Sequence, residues 1–158
     1  MKGCEYMKVK DIMTKNPIKI DKKTKMSEAS LIMKNNDIGF LIVMDGTDMI
    51  GVITDRDITI RYVANNGNEK CVLDYMTKDV IKIEEEATID EMLEMMSENR
   101  IKRIVVINNE NKIVGVVSFE NIVKNIKEKN KVITLLLSVL ETNKHEFAFT
   151  TLVDEFKL

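Results

Sequence analysis

Residues 9–20 read VKDIMTKNPIKI, and residues 72–83 read VLDYMTKDVIKI. Eight of these twelve positions are identical at an offset of 63. The correspondence runs on through Met26, Ser27 and Glu28, which match Ile89, Asp90 and Glu91. The apolar run FLIVM at 40–44 matches RIVVI at 103–107. After one inserted residue, GVIT at 51–54 matches GVVS at 115–118, at an offset of 64. A correspondence this long is a tandem duplication of a unit of about 55 residues.

Each copy reads the same way. A polar lead segment holds a short strand, at 18–20 or 81–83. A helix follows over 27–35 or 90–99. In the second copy Ile89, Met92, Leu93 and Met96 recur at helical spacing and form one apolar stripe. Thr88 with Glu91 three residues later fits a capping box. Two apolar strands come next. In the first copy they are 40–44 and 49–54, separated by DGTD at 45–48; in the second they are 104–107 and 113–118. Unbroken Ile and Val runs predict strands buried on both faces, and the intervening loops suit hairpin turns. A last helix is expected over 55–64 and over 120–129.

The unit order is therefore β-α-β-β-α, and the fold class is α+β. A lone unit would leave one side of its small sheet uncovered, so the two are expected to pack as a pseudo-two-fold pair. The domain reading is 7–64 for the first repeat, 65–71 for a linker with turn-forming Asn and Gly, 72–129 for the second repeat, and 130–158 for a C-terminal extension.

Composition narrows the function. The chain has 158 residues, 44% apolar and 32% charged, the balance of a soluble globular protein. Its 24 Lys and Arg against 26 Asp and Glu give a net charge of −2, which argues against a nucleic-acid partner. No stretch approaches the roughly 20 apolar residues of a membrane helix. Residues 1–10 lack the apolar core of a signal peptide, so a cytoplasmic location is expected. The two cysteines, Cys4 and Cys71, form no CxxC and read as free thiols. With one histidine, His145, neither a His-based metal site nor a Ser-His or Cys-His catalytic unit is expected. The eleven methionines read as adaptable packing.

The junction between last strand and last helix carries most of the chemical signal. It reads GVITDRD at 51–57 and GVVSFEN at 115–121. A hydroxyl residue stands at the helix start, with Asp or Asn three positions later. The structural reading makes Thr54 and Ser118 N-caps, with Asp57 favouring the positive helix end. The functional reading uses the same geometry. Free amides and a hydroxyl there can meet a phosphate. A carboxylate three residues on can accept both hydroxyls of a ribose, as an acidic residue does in dinucleotide sites. Both readings stand on the residues alone. Arg56 and Arg61, on the last helix of the first copy, both read as part of a solvated face, though Arg56 lies close enough to meet a phosphate. Asp55 and Asp57 are a carboxylate pair by spacing, but no second cluster accompanies them to make an acid–base couple.

Three marks occur twice, in the same order. They are MT-x-x-x-I (Met13-Thr14…Ile18 and Met76-Thr77…Ile81), the apolar strand ending near Asp45 or Asn108, and G-h-h-T/S-x-x-D/N. Together they closely resemble the CBS domain family in its tandem form, the Bateman module, over about residues 7–128. The resemblance implies adenosine-containing ligands (AMP, ADP, ATP or S-adenosylmethionine) in clefts between the repeats. Carried over, one cleft uses Thr54, Arg56, Asp57, Thr77 and Ile81, with Lys102 and Arg103 toward the phosphates. The other uses Ser118 and Asn121 with Thr14, Ile18, Gly39 and Phe40. The second is expected to be the weaker, because Asn accepts through one oxygen only and Gly39 and Phe40 stand where the first has its cationic pair. The implied function is a stand-alone regulatory module that senses a ligand and signals to an effector protein, not an enzyme. The alternative is an interaction or oligomerisation module with degenerate clefts. The apolar stretch VITLLLSVL at 132–140 is too short to span a bilayer and needs covering, by the same chain or by a partner. A homodimer is expected, by analogy with the family's pairing of modules.

Overall fold

A computed structural model describes residues 7–67 and 70–125. Cys4, His145 and the C-terminal extension lie outside the described residues, and so do the expectations placed on them. In chain order the first half contains α1 (Val9–Ile12), β1 (Thr14–Lys15), β2 (Lys19–Asp21), α2 (Met26–Asn36), β3 (Phe40–Asp45), β4 (Asp48–Thr54) and α3 (Asp55–Asp57). A π turn (Ile58–Tyr62) and a 3-10 turn (Val63–Asn65) continue α3. The second half contains a 3-10 turn (Val72–Asp74), β5 (Lys82–Glu84), α4 (Ile89–Asn99), β6 (Arg103–Ile107), β7 (Ile113–Ser118) and α5 (Phe119–Asn125). The chain forms two compact units. One spans Lys15–Lys82; the other joins Met1–Thr14 to Ile83–Leu158.

In the Lys15–Lys82 unit the sheet order is β2-β3-β4. β2 runs parallel to β3, and β3 antiparallel to β4, with Phe40 opposite Thr54. The hairpin turns through Gly46 at φ +60°, a conformation open to a residue without Cβ. Leu41, Val43 and Ile53 share one core with Met26, Ala29 and Met33 of α2. That spacing of 26, 29 and 33 is one face of a helix. Ile42 and Val52, on the alternate positions, are buried too, as the unbroken apolar runs require. Full burial of each such side chain stabilises by about 1.5–3 kcal/mol. Val72 and Met76 complete the same core although they belong to the second sequence repeat.

The other unit has the sheet order β1-β7-β6-β5, with β6 antiparallel to β7 and Arg103 opposite Ser118. α4 buries Ile89, Met92, Leu93 and Met96. Its N-terminus closes as the sequence predicts: Glu91 N donates to Thr88 Oγ1 at 3.2 Å, and Thr88 N donates to Glu91 Oε2 at 2.7 Å. Hydrogen bonds from the Thr88 backbone, and then its hydroxyl, hold the Glu91 carboxyl below the ordinary range. α1 buries Val9 and Ile12. Val9 N donates to Ala87 O at 2.9 Å and Lys10 N to Glu85 O at 3.0 Å. The first repeat's lead segment is thus built into the second repeat's unit.

Some details differ from the sequence reading. The short strands begin one residue later, at Lys19 and Lys82, and α2 and α4 one residue earlier. The lead segments carry helical turns, α1 and Val72–Asp74, too short to show a period. The helix expected over 55–64 is not one regular helix but α3, a π turn and a 3-10 turn in succession. Ile58, Thr59 and Ile60 are β-branched and disfavour a tight regular helix. The Thr59 hydroxyl also donates to Asp55 O at 3.0 Å.

Candidate ligand site at the strand–helix junctions

The junction in the Lys15–Lys82 unit is assembled from both ends of the unit. Thr77 exchanges backbone hydrogen bonds with Val52 at 2.9 and 2.8 Å. Gly51 makes this approach possible: a Cβ there would lie 2.6 Å from Met76 Sδ and 2.8 Å from Thr77 O. So the Met-Thr of one repeat lies on the glycine of the other, and Thr77 is carried to the end of β4.

At that end Thr54 and Asp57 close on each other. Asp57 N donates to Thr54 Oγ1 at 3.1 Å. Asp57 Oδ2 accepts from Thr54 N at 3.0 Å and from Thr54 Oγ1 at 2.8 Å. The other carboxylate oxygen, Oδ1, faces Arg61 Nη2 at 3.3 Å. Arg61 reaches further, its Nη1 donating to Tyr75 O at 2.9 Å and to Thr77 Oγ1 at 3.2 Å. The Asp57 side chain is only 12% exposed. A carboxylate has about four acceptor positions. Oδ2 has used two and Oδ1 one, so the Oδ1 edge is where further donors can add.

Arg61 corrects the sequence reading. It is not a plain solvated residue but the link from Asp57 to Thr77. Its i,i+4 spacing from Asp57 was the available signal. Arg56 is exposed on α3, and Ile81 is partly buried ahead of β5. Gly39 lies under Asp55: a Cβ there would meet Asp55 Oδ2 at 2.5 Å, and Asp55 N donates to Gly39 O at 3.2 Å.

The second junction repeats the plan with different donors. A Cβ on Gly115 would lie 2.6 Å from Met13 Sδ and 3.0 Å from Thr14 O. Asn121 Oδ1 accepts from Ser118 N at 2.8 Å and from Ser118 Oγ at 2.9 Å. Asn121 Nδ2 donates directly to Thr14 Oγ1 at 3.1 Å. One amide therefore does what Asp57 and Arg61 do together. Ser118 is buried, at 7% exposure.

The structure thus groups Thr54, Asp57 and Thr77 in one unit and Thr14, Ser118 and Asn121 in the other. Ile18, Gly39 and Phe40 belong to the Lys15–Lys82 unit; Lys102 and Arg103 belong to the other. Within its own unit Arg103 pairs with Glu120, Nη2 to Oε1 at 3.6 Å. Among the described residues no group of three or more His, Cys, Asp or Glu could hold a metal ion. Among them, too, no helix is long and apolar enough to cross a membrane.

The family model described as "CBS domain" matches residues 9–63 and 72–128. The chain is 29% identical over 145 residues to the uncharacterized protein YlbB of Bacillus subtilis, covering 90% of this chain and 97% of that one. It is 32% identical over 128 residues to inosine-5'-monophosphate dehydrogenase of Methanocaldococcus jannaschii, covering 80% of this chain but only 24% of the enzyme. In structure it is similar to the CBS domain pair of protein MJ0100, solved in complex with 5'-methylthioadenosine and S-adenosyl-L-methionine. The identity is 30% and the TM-score 0.69, over 75% of this chain and 94% of that one. A CBS domain protein of unknown function from Thermoplasma acidophilum has the same fold, with TM-score 0.76 at 21% identity over 89% of this chain and 78% of that one. The chain belongs to the CBS domain family and carries two CBS domains in tandem.

Proposed function

We propose that the chain is a regulatory module that binds an adenosine-containing ligand at the Thr54–Asp57 junction, with Thr77, Ile81 and Arg56 as neighbouring contacts. The ligand classes that suit it are AMP, ADP, ATP and S-adenosylmethionine. The observation that carries the reading is the Asp57 carboxylate. Its Oδ2 is fixed by two hydrogen bonds from Thr54, which leaves the Oδ1 edge oriented for donors such as ribose hydroxyls. A charge-assisted bond to a hydroxyl is stronger than a neutral one. The complex of the MJ0100 domain pair, at 30% identity, supports the same ligand class.

A bound ligand acts by favouring one arrangement of the module over others, which a partner protein then reads. Leu31, Ile60, Val63 and Leu73 of the Lys15–Lys82 unit are exposed apolar side chains, and we assign the assembly partner of the module to a second copy of the chain. No catalytic role is proposed for either junction.

A second reading has its own support at the other junction. Asn121 Oδ1 already holds two donors, and Nδ2 is spent on Thr14. That junction is proposed as a weak or structural site. Thermal unfolding with each of the four ligands tests both readings. A ligand at a hundredfold excess over Kd adds about 2.7 kcal/mol of stability. A rise with an adenosine ligand, lost in Asp57→Ala and kept in Asn121→Ala, is expected. No rise with any of them would favour the interaction module.

A further inference from the structure

We propose that Arg61 is an internal competitor for the ligand edge of Asp57, and that its release couples ligand binding to the segment leading into the second repeat. The inference rests on the reading of Asp57 as a ribose-binding residue. Three observations lead to it.

Arg61 Nη2 occupies the one carboxylate oxygen that Thr54 leaves open, at 3.3 Å. Its side chain is 46% exposed, so it can leave without unpacking a core. A ribose hydroxyl that adds at Oδ1 must share that oxygen with this guanidinium or displace it.

The same guanidinium holds the connector, through Tyr75 O at 2.9 Å and Thr77 Oγ1 at 3.2 Å. The next residue, Tyr62, meets the Tyr75 ring edge-on at 5.6 Å. Residues 61 and 62 thus tie the segment 70–77 to the junction, and Asp57 fixes one of those ties.

The arrangement is particular to this junction. The position corresponding to Arg61 in the second repeat is Asn125. Its amide turns back to Asn121 O at 2.7 Å, and Asn121 reaches Thr14 without a bridge. Among the described residues, the second junction has an amide, Asn125, where the first has the Arg61 cation.

Amide hydrogen exchange and binding with AMP and S-adenosylmethionine test the proposal, on wild type, Arg61→Gln, Asp57→Asn and the double variant. Asp57→Asn keeps the cap, because Asn121 makes the equivalent two bonds in the second repeat. Without ligand, both single variants speed exchange in 70–77, and the double variant adds nothing further. Unchanged exchange in Asp57→Asn overturns the coupling, whatever binds. With ligand, Arg61→Gln binds about 2–5-fold more tightly than wild type, the factor that a partly exposed ion pair represents. Weaker or equal binding overturns the competition. If only Arg61→Gln binds, the competitor is confirmed as dominant. If neither protein binds either probe, the ribose reading of Asp57 and the competition both fall, and the exchange result separately decides the link to the connector.

Discussion

Val52 and Thr77 exchange both backbone hydrogen bonds, at 2.9 and 2.8 Å, although they stand in different sequence repeats. That exchange makes the compact unit Lys15–Lys82 differ from the repeat at 9–63. The second repeat's lead segment supplies Val72 and Met76 to the first repeat's core, and Thr77 to its junction. The first repeat's lead segment does the same in return, through Val9, Ile12, Met13 and Thr14. Each junction is therefore built from both repeats.

Gly51→Ala tests that dependence. The added methyl would lie 2.6 Å from Met76 Sδ and 2.8 Å from Thr77 O. Overpacking of this kind costs about 1–3 kcal/mol. Met76→Ala alone should cost about 2–5 kcal/mol, as a buried large-to-small change. Urea unfolding of the singles and the double should show a loss smaller than the sum, since the methyl and the thioether compete for one space. Strict additivity would mean that Met76 does not fill the groove over Gly51.

Acid stability should depend on Glu86. Lys10, and then Lys8, hold its carboxyl down at about 2, from 4.5. A carboxyl depressed in the folded state stabilises above its unfolded pKa, and that contribution fades as pH falls through the folded value. The Glu86 contribution should thus be whole above about pH 4.5 and vanish toward pH 2. Melting temperatures of wild type and Glu86→Gln should differ at pH 6 and converge near pH 2. A constant gap across that range would contradict the ion pair's role in fastening α1.

Asn121→Asp should raise the affinity of the second junction. The change keeps an acceptor for Ser118 N and Oγ, removes the donor to Thr14, and restores the charge that Asp57 has. Calorimetric stoichiometry for an adenosine ligand should rise from one toward two per chain. A stoichiometry fixed at one would mean that the amide is not what weakens that junction.

Much of this was legible in the sequence, for identifiable reasons. The α4 stripe and its Thr88–Glu91 box are local features, and both stand as read. β7 stands at 113–118 as read, because a run of Ile and Val around a single glycine, bounded by turn residues, has few alternatives. The Thr54–Asp57 and Ser118–Asn121 boxes were also visible as spacing. Three things were not. The π turn at Ile58–Tyr62 arises from a local balance of β-branching and a side-chain bond that periodicity does not record. The boundary of the compact units depends on contacts between residues as distant as 51 and 76. Arg61 looked like any charged residue on a helix face, and only the folded chain puts Tyr75 O and Thr77 Oγ1 within its reach.

We propose that Asp57, and not Asn121, holds an adenosine ligand. Isothermal titration of the purified chain with AMP, ATP and S-adenosylmethionine, beside Asp57→Ala and Asn121→Ala, decides between the two residues. One strong site per chain is expected for at least one of these ligands, abolished by Asp57→Ala and retained in Asn121→Ala. Two equal sites that survive Asp57→Ala would contradict it.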